Sequence, residues 1–168
     1  GQQWLTLVTN LATVTQMLMD AAAGIMYCHS KRVVHRDVAA RNFLVDPLNR
    51  VTICDFGMAR LLPHGEHVGQ ILQEERVPVP WAAPETLTEH LLSTKTDVYS
   101  FGILMFEVAS RGVPYPKVSY RDVAMWVPDK LRPLRPSVRN CPLEWMELMK
   151  QCWAAKADDR PTMSHVFQ

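Results

Sequence analysis

Excess charge of either sign is missing: 18 Lys and Arg against 17 Asp and Glu leave a net charge of +1 over 168 residues. Without a basic surplus no nucleic-acid partner is expected, and without an acidic block no disordered tail. Cysteine is sparse. Cys28, Cys54, Cys141 and Cys152 stand in apolar surroundings without C-x-x-C spacing, which argues against a cysteine-held metal and for reduced thiols, as in the cytosol. No apolar run approaches the roughly 18 residues that span a bilayer, so no membrane segment is expected. The opening Gly1-Gln2-Gln3-Trp4 has the form neither of a signal peptide nor of an initiator end, and the chain reads as a piece of something longer. A local absence adds to these: from Asp55 to Glu85 there is no Ser, Thr or Tyr. That stretch cannot carry a phosphate on a hydroxyl.

What is present suffices for one domain, since a chain of this size buries about two-thirds of its unfolded surface. Val14, Met17, Leu18, Ala21, Ile25 and Cys28 recur at steps of three and four, which predicts a helix ending near Ser30, with Thr13 or Thr15 as its N-cap. A brief helix and a loop are expected over Trp4 to Ala12. Phe43 to Val45 and Val51 to Ile53 flank the turn-rich Asp46 to Arg50 and predict a hairpin. Met58 to Pro80 shows no sustained period and reads as one long loop. From Ser93 to Arg111 the apolar residues go right round a helix, which Gly112 and Pro114 end, so it should be buried on nearly all sides. Tyr120 to Val127 is a short helix closed by Pro128, and Arg132 to Pro136 an extended connector. Pro142 opens a helix with Leu143, Met146, Met149 and Trp153 on one face. Asp158-Asp159-Arg160-Pro161-Thr162 starts a last helix, which the chain leaves unfinished at Gln168.

The chemistry concentrates in His35-Arg36-Asp37-Val38-Ala39-Ala40-Arg41-Asn42, a loop expected to hang between Val33-Val34 and Phe43-Leu44-Val45. Asp37, Arg41 and Asn42 supply a proton acceptor, a cation and a metal ligand close together, the parts phosphoryl transfer needs. Further along stand Asp55-Phe56-Gly57, Ala83-Pro84-Glu85 and Asp97 to Glu107 (DVYSFGILMFE). In this order they resemble the signature set of the protein kinase catalytic domain. The resemblance runs over nearly all of residues 1–168 and is to the family's C-terminal lobe alone. It implies an α+β, mostly α-helical fold with a small β-hairpin at the catalytic cleft.

Ala39 stands where serine/threonine kinases usually carry lysine, and Arg41 is the tyrosine kinase arrangement. Pro78-Val79-Pro80-Trp81-Ala82-Ala83-Pro84-Glu85 and Cys152-Trp153 followed by Asp159-Arg160-Pro161 also resemble tyrosine kinase segments. The resemblance therefore implies transfer of the ATP γ-phosphate to protein tyrosine, in the cytoplasm or the cytoplasmic part of a receptor. On it, Asp37 is the base, Arg41 lies near the acceptor hydroxyl, Asn42 and Asp55 bind Mg2+, and Leu44 packs on the adenine of ATP. Arg41, Val79, Pro80 and Trp81 would meet the substrate. His35 and Phe56 would stack in an internal hydrophobic spine, Gly57 would have a structural or regulatory role after them, Asp97 would hold the catalytic loop backbone, and Arg160 would pair with Glu85. His64 and His67 are too few for a metal site.

Three departures bear on function. No glycine-rich loop, V-A-x-K lysine or helix glutamate precedes Gly1, so the N-terminal lobe is a missing partner and the isolated chain is expected to have little activity. The loop that Arg36 would order through a phosphate has no hydroxyl, which leaves Glu66, Glu74 or Glu75 as a permanent partner or as solvated acids. Pro80 replaces the usual lysine or arginine and has no N–H to offer a substrate strand. The other reading of these departures is an inactive scaffold that binds protein partners.

Overall fold

The computed structural model describes residues 10–72, 74–129 and 141–168. Most of the helix expected from Trp4, and the Arg132 to Pro136 connector, lie outside these residues. Helix α1 spans Leu11–Ser30. Its cap is Asn10, not Thr13 or Thr15: the Asn10 side-chain oxygen accepts from Ala12 N at 2.9 Å. Asn10 takes the extended backbone that a cap requires, whereas Thr15 already lies in the helix and donates back to Leu11 O. Met17, Leu18, Ala21, Ala22, Ile25 and Cys28 are buried in one stripe, so the methionine is core filling. By length and mean hydropathy, 1.2 over an 18-residue window, α1 is long and apolar enough to cross a membrane, although Thr13, Thr15, Gln16 and Asp20 keep it from being one unbroken apolar run. Its place is in the core, with Met17 and Ile25 fully buried and Asp20 accepting from Val51 N.

The strands are short and pair as three antiparallel ribbons. β1 (Val33–Val34) pairs with β4 (Arg60–Leu61), β2 (Phe43–Val45) with β3 (Val51–Ile53), and β5 (Val68–Gln70) with β6 (Leu91–Ser93). The expected hairpin is β2–β3, closed by Asp46, whose carboxylate accepts from the backbone of Leu48 and Arg50. The supposed structureless loop from Met58 to Pro80 contains β4 and β5. Strands of two or three residues are too short for an alternating pattern to show. Val34, Leu62, Ile71 and Leu92 gather beneath them as a second small core.

Helix α2 covers Pro84–Glu89 and α3 Thr94–Ser110. Ser93 and Thr96 form a capping box at the start of α3, and every residue from Thr96 to Ala109 is buried. Arg111, not Gly112, takes the left-handed C-cap conformation, at φ 55°. Then come α4 (Tyr120–Trp126), α5 (Leu143–Cys152) and α6 (Met163–Phe167). Of the expected face of α5, Met149 and Trp153 are buried and Met146 packs against the core together with Cys152, whereas Leu143 is 66% exposed. Asp158 and Asp159 lie in a separate 3-10 turn, and α6 starts after its cap, Thr162.

The main core lies where α3 meets α1 and α5. At Gly102 a Cβ would come within 2.9 Å of Cys152 Cβ and 3.3 Å of Trp153 N, so α3 and α5 touch through a missing side chain. Gly102→Val is expected to cost about 1–3 kcal/mol through overpacking. Denaturant unfolding reads this, and an unchanged midpoint would show that α5 can draw back. Burial raises all four thiols, Cys152 to about 12, and all four are free.

Candidate active site

The loop from His35 to Asn42 leaves β1 and enters β2 through a 3-10 turn, Ala40–Asn42. Its backbone hangs from one buried carboxylate. Asp97, in the first turn of α3, is fully buried and accepts from His35 N at 2.8 Å and Arg36 N at 2.9 Å, with His29 Nε2 also at 2.9 Å. These bonds hold Arg36 at φ 70°, a strained conformation for a residue with a side chain. His35 is fully buried. Its Nδ1 accepts from Asp37 N and its Nε2 faces Cys54 O at 3.1 Å, which only the Nε2–H tautomer satisfies.

Asp37 is 8% exposed. One carboxylate oxygen pairs with Arg41 and the other accepts from Asn42 Nδ2 at 2.7 Å, which also donates to the Asp37 main-chain oxygen at 2.7 Å. Both partners of the amide are acceptors, so the nitrogen must face them, and no hydrogen bond among the described residues uses Asn42 Oδ1. Cys54 N donates to Asn42 O, so Asn42 and Asp55 lie at the same end of the β2–β3 hairpin. Asp55 is exposed, sits at φ 61° and accepts from Gly57 N at 3.2 Å. Phe56 meets His35 edge-on, with centroids 5.0 Å apart, and is 49% exposed. Leu44, on β2, is 61% exposed.

Val79 to Trp81 form a 3-10 turn in which Pro80 is buried, so Pro80 offers no edge to a substrate strand. Trp81 lies under Arg41, whose guanidinium carbon is 4.4 Å from the ring centroid. Trp81 Nε1 and Ala40 N both donate to Glu107 Oε2, at 2.8 and 3.0 Å. Burial raises the Glu107 carboxyl above the usual range, against the pull of these two donors. Among the three acids considered for Arg36, Glu75 is the one in contact. Arg36 Nη1 lies 2.6 Å from Glu75 Oε2 and donates to Met58 O, and Arg60 pairs with the other carboxylate oxygen. The hydrogen bond from Arg36 holds the Glu75 carboxyl below its ordinary range. Glu66 and Glu74 are exposed.

Arg160, 2% exposed, meets Glu85 through both terminal nitrogens, at 2.6 and 2.8 Å. Its remaining donors go to the carbonyls of Ala154, Lys95 and Ala155. Among the described residues no three His, Cys, Asp or Glu side chains gather as a metal cluster. Sequence reasoning missed Glu107, Ser100 and His29 as site neighbours. Glu107 did carry a signal, an acid in the otherwise apolar run of a helix buried all round, where a carboxylate needs donors.

Residues 6–168 match the family described as protein tyrosine and serine/threonine kinase, and the chain belongs to that family. Among individual relatives, it is 38% identical over 179 aligned residues to Tyrosine-protein kinase Abl of Drosophila melanogaster, covering all of this chain and 10% of that one. It is 39% identical over 151 residues to Tyrosine-protein kinase csk-1 of Caenorhabditis elegans, with 89% of this chain and 27% of that one covered. To Tyrosine-protein kinase Fer of Mus musculus it is 40% identical over 159 residues, covering 94% and 19%. The chain thus spans between 10% and 27% of the length of these three relatives.

Proposed function

We propose that residues 1–168 are the C-terminal lobe of a protein tyrosine kinase catalytic domain, which moves the γ-phosphate of ATP to the hydroxyl of a protein tyrosine. The observation that carries the reading is the Asp37 carboxylate, held between Arg41 and Asn42 on a loop anchored to buried Asp97. A carboxylate offers about four lone-pair sites, so Asp37 keeps room for an acceptor hydroxyl beside its two partners. It takes the phenol proton while the phenol oxygen bonds to phosphorus and the bond from that phosphorus to the ADP oxygen breaks. Arg41, with its side chain 40% exposed, faces the transferring phosphate.

The donor set suits a hard divalent cation: the exposed Asp55 carboxylate and the amide oxygen of Asn42, whose nitrogen is committed to Asp37. Magnesium held there by Asp55 and Asn42 would supply positive charge against the ATP phosphates. Leu44 presents an apolar floor for the adenine. The exposure of Leu44 and Phe56 fits a cleft whose other wall is an N-terminal lobe, so the isolated chain has little activity. The preference for tyrosine rests on Ala39 and on Arg41 stacked over Trp81, and it agrees with the names of the relatives. Four reduced thiols and the use of ATP fit the cytoplasm or the cytoplasmic part of a receptor.

The test is phosphate transfer from ATP and Mg2+ by the full chain that contains this lobe, offered tyrosine-only and serine/threonine-only peptides. Label is expected on the tyrosine peptides. Transfer to serine or threonine, or none to either, overturns the reading.

A further inference from the structure

We propose that Glu107 is a positioning residue that pins the Trp81 indole beneath Arg41 and thereby sets how Arg41 holds Asp37. Glu107 is 2% exposed on a helix face of apolar neighbours, and a carboxylate there is costly without donors. Its two donors come from different parts of the chain and meet on one oxygen: Ala40 N from the catalytic loop and Trp81 Nε1 from the Val79–Trp81 turn. One atom joins the loop that carries Asp37 to the turn that ends in Trp81. A second tie comes from the same helix two turns earlier, where Ser100 Oγ donates to Trp81 O at 2.7 Å. Trp81 is therefore held by main chain and side chain at once. Above it, Arg41 is the least confined member of the group, with a side chain 40% exposed. Its direction is set by the ring 4.4 Å below and by Asp37.

The effect on turnover rests on the kinase reading, while the pinning does not, and the test separates them. Glu107→Gln keeps a carbonyl oxygen able to accept both N–H groups, and Glu107→Leu does not. In the full chain, E107L should lower kcat on a tyrosine peptide by about tenfold or more, as expected for a misplaced reacting group, with KM for ATP unchanged, and E107Q should restore it. W81F deletes the indole N–H while keeping an aromatic ring. E107L/W81F should be no worse than E107L alone, because W81F removes only a donor that E107L has already left without its acceptor. Should E107L fail to fold, W81F carries the kinetic test. Independently of activity, the Arg41 Nε–Hε resonance should show a ring-current displacement in the wild type and E107Q that E107L removes. An unmoved Arg41 resonance, an unchanged kcat in W81F, or additive losses in the double variant overturns the proposal. If the wild type transfers no phosphate, the kinase reading falls and the Arg41 resonance alone decides the pinning.

Discussion

Asp37→Asn should slow phosphate transfer by about 10²–10⁴-fold, the usual contribution of a positioned acid or base. The substitution keeps shape and removes both the charge and the proton acceptor. It also creates a local conflict. In the native site Arg41 and Asn42 both donate to the Asp37 carboxylate, each to its own oxygen. An asparagine has one oxygen, so its amide nitrogen must face one of two donors. A donor left unpaired in a buried site costs about 1–3 kcal/mol. The Asn42 bond to the main-chain oxygen of residue 37 survives, as do the Asp97 anchors, so the lobe should stay folded. Single-turnover kinetics with ATP and a tyrosine peptide, beside a thermal melt, reads both effects. Turnover within threefold of the wild type would remove Asp37 as the base.

Glu85→Gln should destabilise the lobe by about 3–5 kcal/mol, because it leaves the buried Arg160 charge without its partner. Few guanidinium groups are so fully used: its Nε and both terminal nitrogens are hydrogen-bonded, to the two Glu85 oxygens and to three carbonyls. For a domain of this size each kcal/mol lowers the unfolding midpoint by about 2–4 °C, so differential scanning calorimetry resolves the loss easily. Removing both charges, as in Glu85→Gln with Arg160→Met, should recover only part of it. A well-packed apolar pair can replace an ion pair at little cost, but here the carbonyls of Ala154, Lys95 and Ala155 would lose their donor. Full recovery in the double variant would mean that water reaches those carbonyls.

Much of this arrangement was legible in the sequence, and the reason differs by residue. The hairpin and the all-round burial of α3 follow from patterns longer than a turn, which survive any detail of packing. Asp37, Arg41 and Asn42 lie within six residues, so their grouping needs only a loop held at both ends. What stayed hidden depends on chain segments that meet across long separations. The donors to Glu107 stand 67 and 26 residues away, and no local pattern announces such a meeting. β4 and β5 are too short for period to reveal. The cap at Asn10 was missed because two threonines stood nearer the apolar stripe, and Leu143 because spacing gives a face without saying whether anything covers it. Glu75 was one of three candidates, and only the path of the loop distinguishes it from Glu66 and Glu74.

The clasp of Glu75 between Arg36 and Arg60 bears on how such a lobe can be silenced. A phosphate captured by an arginine is written by one enzyme and erased by another, so the loop it orders has a history. A glutamate arrives with translation and no phosphatase removes it. The stretch from Asp55 to Glu85 has no hydroxyl on which the usual mark could be placed. In this chain the partner that Arg36 meets on that stretch is written in the sequence itself, as Glu75.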